Sequence, residues 1–341
     1  MSKKYIFITP IENLKLEVSK YKTIKIGNVH FVSYDKIDAY KKRFGISKSI
    51  TKMPLIKQTD NDFFECAPAF AIIHHNGESK DTQYKYILEV QRAIDILCMA
   101  QKGYTKRQST SIPAISGMPT SKSYKYMFVD KHNPNSLPGW RLASNPDGLI
   151  VNERMVEFHK KAYFFKLLKI INKDISTSKE WHNSIINAAI FAGKSWAAKS
   201  IYDAFLFNMI ALETLLTESG DKFSDVLPLR IKSFIGWMGN WDKYDYKKRI
   251  DDIYKKRCKL VHEGNINNIS VDDLLFSDDL IFGVFDNIVN HVKIFHEKKD
   301  IILFSKKVEA EHLLGIKGRT RPRTLRFFET QYNTKDKIEI I

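Results

Sequence analysis

The stretch Tyr254-Lys-Lys-Arg257-Cys-Lys-Leu-Val-His262-Glu-Gly264 sets an arginine and a histidine five positions apart near a helix end. A guanidinium presents a fixed fork of donors to a phosphate, and an imidazole exchanges a proton near neutral pH. Those two side chains are the minimum needed to cut RNA without a metal. The spacing alone is common in a chain with this many arginines and histidines, so its setting carries the argument.

Tyr246, Ile250, Ile253, Tyr254, Cys258 and Val261 recur at three- and four-residue steps and define one apolar helical face. Arg257 falls in the middle of that face, between Ile253 and Val261, whereas Lys255, Lys256 and Lys259 fall mostly outside it as solvated charges. A guanidinium in that position must be paired or must face a cleft. A partner is available upstream. Phe205-Leu-Phe-Asn-Met-Ile-Ala-Leu-Glu213-Thr-Leu-Leu216 is apolar nearly all round and holds one carboxylate in its middle. A helix of that kind is buried on several sides, and a buried carboxylate needs a cation or donors, so Glu213 is expected to hold Arg257 in place.

These residues resemble the HEPN superfamily and, within it, the Apea-like HEPN domains. The resemblance runs over roughly residues 180 to 297. It rests on Ala211-Leu-Glu213-x-Leu-Leu216, Leu227-Pro-Leu-Arg230 and Tyr254-x-x-Arg257-x-x-Leu-Val-His262-x-Gly264, in that order, followed by a final helix. It implies a metal-independent endoribonuclease, assembled as a homodimer with both motifs lining one cleft. The reaction implied is transesterification. His262 takes the proton of a ribose 2′-hydroxyl, which attacks the adjacent phosphate, and Arg257 carries the added transition-state charge. The products are a 2′,3′-cyclic phosphate and a 5′-hydroxyl end. One departure stands out: many active members carry Asn or Asp directly after the arginine, and this chain has Cys258. The alternative reading is a catalytically silent HEPN-fold module that dimerises or holds RNA or a protein partner.

Five residues on a regular helix separate Arg257 and His262 by about 140° and about 7.5 Å along the axis. One protomer converges poorly on a phosphate, and a symmetric dimer in which Arg257 of one chain meets His262 of the other resolves this. The bland reading is that Arg257 bridges Glu213 and that His262 complements a helix dipole.

The chain's 341 residues, 43% of them hydrophobic with only 10 prolines and 15 glycines, support two domains with real cores and exclude a disordered protein. Lys plus Arg number 55 against 39 Asp plus Glu, a net charge of +16 that suits a polyanionic partner, here RNA with transfer RNA as one candidate. Cys66, Cys98 and Cys258 have neither a disulfide-framework nor a zinc spacing, so no metal or other cofactor is expected. No apolar run reaches the length of a signal peptide or membrane span, which points to the cytoplasm and to no membrane partner.

Residues 1–148 alternate β-like runs with polar loops: Tyr5–Thr9, Thr23–Ile26, Val29–Ser33, Ala69–Ile73 and Tyr124–Val129, with helices near Asp35–Arg43 and Asp81–Gln101. They are read as an α+β domain that senses a trigger, of phage origin by the resemblance, or binds an inhibitory partner. Residues 149–300 are read as an all-α bundle with helices over Asn152–Asn172, Lys179–Leu216, Leu227–Met238, Tyr244–His262 and Val271–Glu297. Ser270 with Asp273 makes a capping signal, and Gly264 a helix stop. Residues 301–341 are read as a basic tail.

Further candidates are weaker. Arg230 could face the cleft or sit exposed on its helix. Lys256, Lys259, Arg319, Arg321 and Arg323 are candidate RNA contacts, the tail arginines being followed by Arg326, Phe327 and Phe328, which could grip a single strand by charge and stacking. Ala192-Gly193-Lys194-Ser195 resembles the end of a phosphate-binding loop but lies in a helical pattern. His74-His75 reads as a turn, and Trp181, Trp196, Trp237 and Trp241 as core or dimer contacts. By resemblance the setting is bacterial antiviral defence and growth arrest.

Overall fold

A computed structural model describes residues 4–44, 67–76, 83–108, 111–116, 124–129, 136–141, 148–235, 245–316, 320, 325–338 and 340. Two compact units divide the chain. One comprises residues 1–94, 108–157 and 338–340, and the other residues 95–107, 158–337 and 341.

In the first unit β1 (Lys4–Glu12), β2 (Leu14–Leu16), β3 (Thr23–Ile26), β4 (Val29–Ser33) and α1 (Ile37–Phe44) are followed by β5 (Ala69–Asn76) and α2 (Gln83–Met99). Then come β6 (Ala114–Ile115), β7 (Tyr124–Val129), β8 (Ser136–Arg141) and β9 (Leu149–Val151). An antiparallel sheet in the order β3-β4-β5-β1-β6 forms its centre, β7 pairs with β8, and β2 runs parallel to β9. Each β-like run read from the sequence is a strand. Phe70, Ile72 and Val32 pack with Ile37 of α1 on one face of the sheet, a core built from alternate strand residues. His74 lies within β5, its ring edge-on to His30 of the neighbouring strand, and not in a turn.

The second unit is helical: the end of α2, α3 (Glu153–Lys161) from Phe158 onward, α4 (Phe164–Ile171), α5 (Lys179–Ala197), α6 (Ile201–Leu216), α7 (Phe223–Ile235), α8 (Tyr246–Glu263), α9 (Val271–Asn290), α10 (Lys298–Leu313) and the short α11 (Thr334–Ile338). A small antiparallel-sheet region followed by a mostly helical one is thus the fold. Among the described residues no helix is long and apolar enough to cross a membrane.

Two helices read as continuous are broken and a third ends early. Ala198 is extended, and Ser200 caps α6 by accepting from the N–H groups of Tyr202 and Asp203, so 179–216 is two helices. The stretch 152–172 divides between α3 and α4, and the last helix of the bundle stops at Asn290, with α10 beginning at Lys298. Much of the expected tail is therefore ordered, as α10 and as residues 325–337, which lie along α9 (Arg326 to Asp286, Thr330 to Asp279). Lys317, Arg319, Arg321, Arg323, Trp237 and Trp241 lie outside the described residues, as does Cys66.

Asp95 to Arg107, the end of α2 and the turns after it, pack with the helical unit. His159 binds the Ala100 carbonyl at 2.8 Å, and burial pushes its imidazole down to about 4. Gly193, in the stretch resembling a phosphate loop, sits inside α5 where an added Cβ would overlap the Asp95 carbonyl oxygen, so its role is close packing. Trp181 and Trp196 are buried in this core.

Candidate functional site

Helix α8 is set by its ends and one face. Asp245 accepts from the Lys248 N–H at the start, and Gly264, at φ +64°, ends it as its N–H and that of Asn265 donate to the Lys259 carbonyl. Tyr246, Ile250, Ile253 and Tyr254 are buried as the apolar stripe requires. The stripe ends there: Arg257 and Cys258 are half-buried, and Val261, expected to continue it, is 46% exposed. The last turn of α8 emerges into solvent and carries His262 with it.

On α6 Glu213 is buried, and its Oε2 lies 2.8 Å from Nη2 of Arg257. The second carboxylate oxygen of Glu213 and Nε of Arg257 are buried without hydrogen-bond partners. Burial raises the Glu213 carboxyl, and the Arg257 charge only partly offsets this. Tyr254 stands beside the pair. Burial and the neighbouring Cys258 thiol push its phenol up to about 12. Arg257, Glu213, Tyr254 and Cys258 are one cluster at the edge of the core, with hydrogen-bonding capacity left over.

Arg230 is neither exposed nor free for a ligand. It is 5% exposed on α7, and its guanidinium grips Asp221 at 2.5 and 3.1 Å while donating to the Leu216 carbonyl at 2.6 Å. Lys298 donates to the Thr214 carbonyl at 2.7 Å, and Thr217 returns its hydroxyl to the Glu213 carbonyl. Two cations thus satisfy two of the orphan carbonyls at the α6 C-terminus, those of Leu216 and Thr214, and brace the turn that carries Glu213.

Lys256 and Lys259 line an open groove of about 650 Å³ between α8 and α9, together with Arg249, Asn267 and Phe276. Lys259 is exposed, whereas Lys256 is engaged by Asp273 at 2.7 Å and is not the solvated charge its wheel position implied. Asp273 also closes the capping box with Ser270.

A second charged cluster escaped the sequence reading. Lys102 donates to Asn208 Oδ1 at 3.0 Å, Ser195 Oγ at 3.3 Å and Asp278 Oδ1, and Arg107 donates to both Asp278 oxygens at 2.6 and 2.9 Å and to the Ser195 carbonyl. Both cations lie over the Trp196 ring. Burial lowers Lys102 to about 8 even though Asp278 opposes it. Burial also pushes the Asp278 carboxyl up, but Arg107 and Lys102 outweigh it and hold it well below the carboxylate range. The signal was available: Asp278, Asp279 and Asp286 interrupt the apolar run of α9 as Glu213 interrupts that of α6.

Among the described residues no group of three or more His, Cys, Asp or Glu is arranged to hold a metal ion. Compared with family models, with curated proteins and with solved structures, the chain matches none.

Proposed function

We propose that the helical unit is a metal-independent endoribonuclease of HEPN type, working as a homodimer. The observation that carries this reading is Arg257 held at the solvent boundary by the buried Glu213, with His262 exposed five residues later on the same helix. In this reading Arg257 binds the phosphate undergoing attack and His262 takes the proton of the 2′-hydroxyl. Glu213 and Arg230 act as positioning residues. Lys256 and Lys259, with the tail arginines, contact the RNA backbone, transfer RNA being one candidate. About 7.5 Å and about 140° of helix separate the two catalytic side chains, so each cleft draws Arg257 from one copy and His262 from the other. The first unit would restrain the activity until a trigger arrives, in a cytoplasmic antiviral defence.

Arg257 being already engaged by Glu213, with Cys258 following it, favours a second reading: a silent HEPN-fold module that dimerises or holds RNA. Incubation of the purified protein with total and transfer RNA in EDTA separates them. Cuts leaving cyclic-phosphate ends, lost in both Arg257→Ala and His262→Ala with folding intact, are expected of the nuclease. RNA bound equally by all three proteins and left intact would move the reading to the binding module.

A further inference from the structure

Helix α9 bears a ladder of carboxylates spaced by seven residues, Asp272, Asp279 and Asp286, and each is met by the segment that follows α10. Asp286 accepts from Arg326 Nε at 2.8 Å, Asp279 meets the Thr330 hydroxyl at 2.8 Å and its N–H at 3.1 Å, and Asp272 pairs with Lys337 at 2.6 Å. Seven residues are about two helical turns, so the ladder lies on one face, and the partners run along it in the opposite direction. Asn287 fixes the start of this segment by exchanging two hydrogen bonds with the Arg326 backbone, at 2.8 and 3.0 Å. Between two rungs of the ladder Gly283 leaves room for the Phe327 ring, which an added Cβ would meet at 3.0 Å.

The same segment reaches two other elements. Glu329 accepts from the Tyr246 hydroxyl at 2.8 Å and from Arg249 at 3.1 Å, and the Phe327 ring stands edge-on to Tyr246, all on the N-terminal half of α8. The Tyr332 hydroxyl accepts from the Arg107 N–H at 2.7 Å, and Asp336 pairs with Lys106 at 2.7 Å, both in the turns after α2. Residues 325–333 form no helix or strand. Their hold is side-chain bonds at the rim of the bundle, with Arg326, Glu329 and Lys337 each about a third exposed. The exposed pairs of Glu329 and Lys337 contribute about 0–1 kcal/mol each and the rungs on buried Asp286 and Asp279 more, and a segment with no helix or strand bonds of its own opens before the helices beneath it.

We infer that residues 325–337 are a releasable clasp, seated on the acidic ladder of α9, that ties the 102–107 turns to the N-terminal half of α8 and sets how firmly α8 is held. Its regulatory meaning rests on the reading of α8 as the helix bearing Arg257 and His262; its mechanics do not. Release would loosen Tyr246 and Arg249, and α8 would carry the change eight residues on to Arg257.

Hydrogen exchange on the full chain tests the clasp, comparing wild type with the double variant Arg326→Ala, Thr330→Val. Peptides over 325–337 and over 246–253 should both exchange about tenfold faster, with α5 and α6 unchanged. Faster exchange in the strap alone, or in neither region, would overturn the inference. Should the double variant fail to fold, Glu329→Gln, which weakens the bonds to Tyr246 and Arg249 and keeps those of Arg326 and Thr330, is held to the same outcomes over 246–253. RNA cleavage by the same preparations is read separately. A clasp that responds while every preparation binds RNA equally and leaves it intact keeps the mechanical inference standing and moves the helical unit to the binding-module reading.

Discussion

Asp278 and Glu213 are both carboxylates on apolar helices, and both face cations, yet they are finished differently. Both oxygens of Asp278 are bonded, by Lys102, Arg107 and Asn208, and the cations spend their remaining donors on Ser195 and Asn208. Glu213 bonds through one oxygen only, and Arg257 keeps an unbonded Nε. Burial loses to the cations at Asp278 and wins over the single cation at Glu213, so the two carboxyls are displaced in opposite directions. A closed network has nothing left to offer a ligand and acts as a structural lock, whereas an open one at the surface retains the donors that recognition needs. Helix α6 carries a member of each, Asn208 and Glu213, five residues apart, so the lock also fixes the helix from which the open cluster is built.

The largest expected effect follows directly. Asp278→Asn leaves two buried cations sharing a neutral amide and should cost about 3–5 kcal/mol, the range for breaking buried ion pairs. Glu213→Gln should cost about 1 kcal/mol, because the Arg257 side chain, 17% exposed, can turn to water. Urea denaturation of both variants reads the contrast. Equal losses would break it, since the two carboxylates would then be equally structural.

A second test uses the next residue along. Burial, with the charges of Asp278 and Glu329, outweighs the two bonds from Thr330 and pushes the Asp279 carboxyl up to about 7. A carboxyl raised above its unfolded value contributes stability that is fully present below about pH 4 and is lost as pH rises through about 7. The change is on the order of 2–4 kcal/mol. His159, depressed to about 4, has the opposite sign, contributing above its ordinary value of 6.5 and losing that contribution as pH falls. The difference between wild type and Asp279→Asn therefore isolates Asp279. Urea midpoints from pH 4.5 to 8 should converge at the acid end and separate toward neutrality, the variant being more stable there. Parallel curves would show that Asp279 titrates as an ordinary, solvated carboxylate and is not enclosed beneath residues 325–337.

The contrast also explains what the sequence discloses. Glu213 stands out because a single carboxylate interrupts an apolar helix, and Arg257 because it breaks an apolar stripe; both are local, periodic signals. β1, β3, β4, β5 and β7 are legible for the same reason, their alternation being set within four or five residues, whereas β2, β6 and β9 are too short to alternate and Pro138 and Gly139 disguise β8. Lys102 and Arg107 gave no such signal, because they lie in turns where charge is expected, and only the fold brings them to Asp278, more than 170 residues away. The strap was hidden similarly: Arg326 and Lys337 look like a solvated basic run until α9 presents its carboxylates in register. The break at Ala198 was missed because alanines and a serine read equally well as helix interior, and the capping role of Ser200 depends on the extended backbone before it.

The smallest effect concerns the helix end itself. Gly264 ends α8 at φ +64°, and an added Cβ there meets nothing within 4 Å, so Gly264→Ala carries only the backbone penalty of a left-handed alanine, about 1 kcal/mol. Asn, which tolerates that conformation better, should recover most of it. Exchange of the amides of residues 259–263 should rise while α9 stays protected, because Val261, His262 and Glu263 are all exposed in the final turn. A loss comparable to that of Asp278→Asn would mean that the end of α8 is locked into the bundle, and the division between a closed interior network and an open surface cluster would no longer hold.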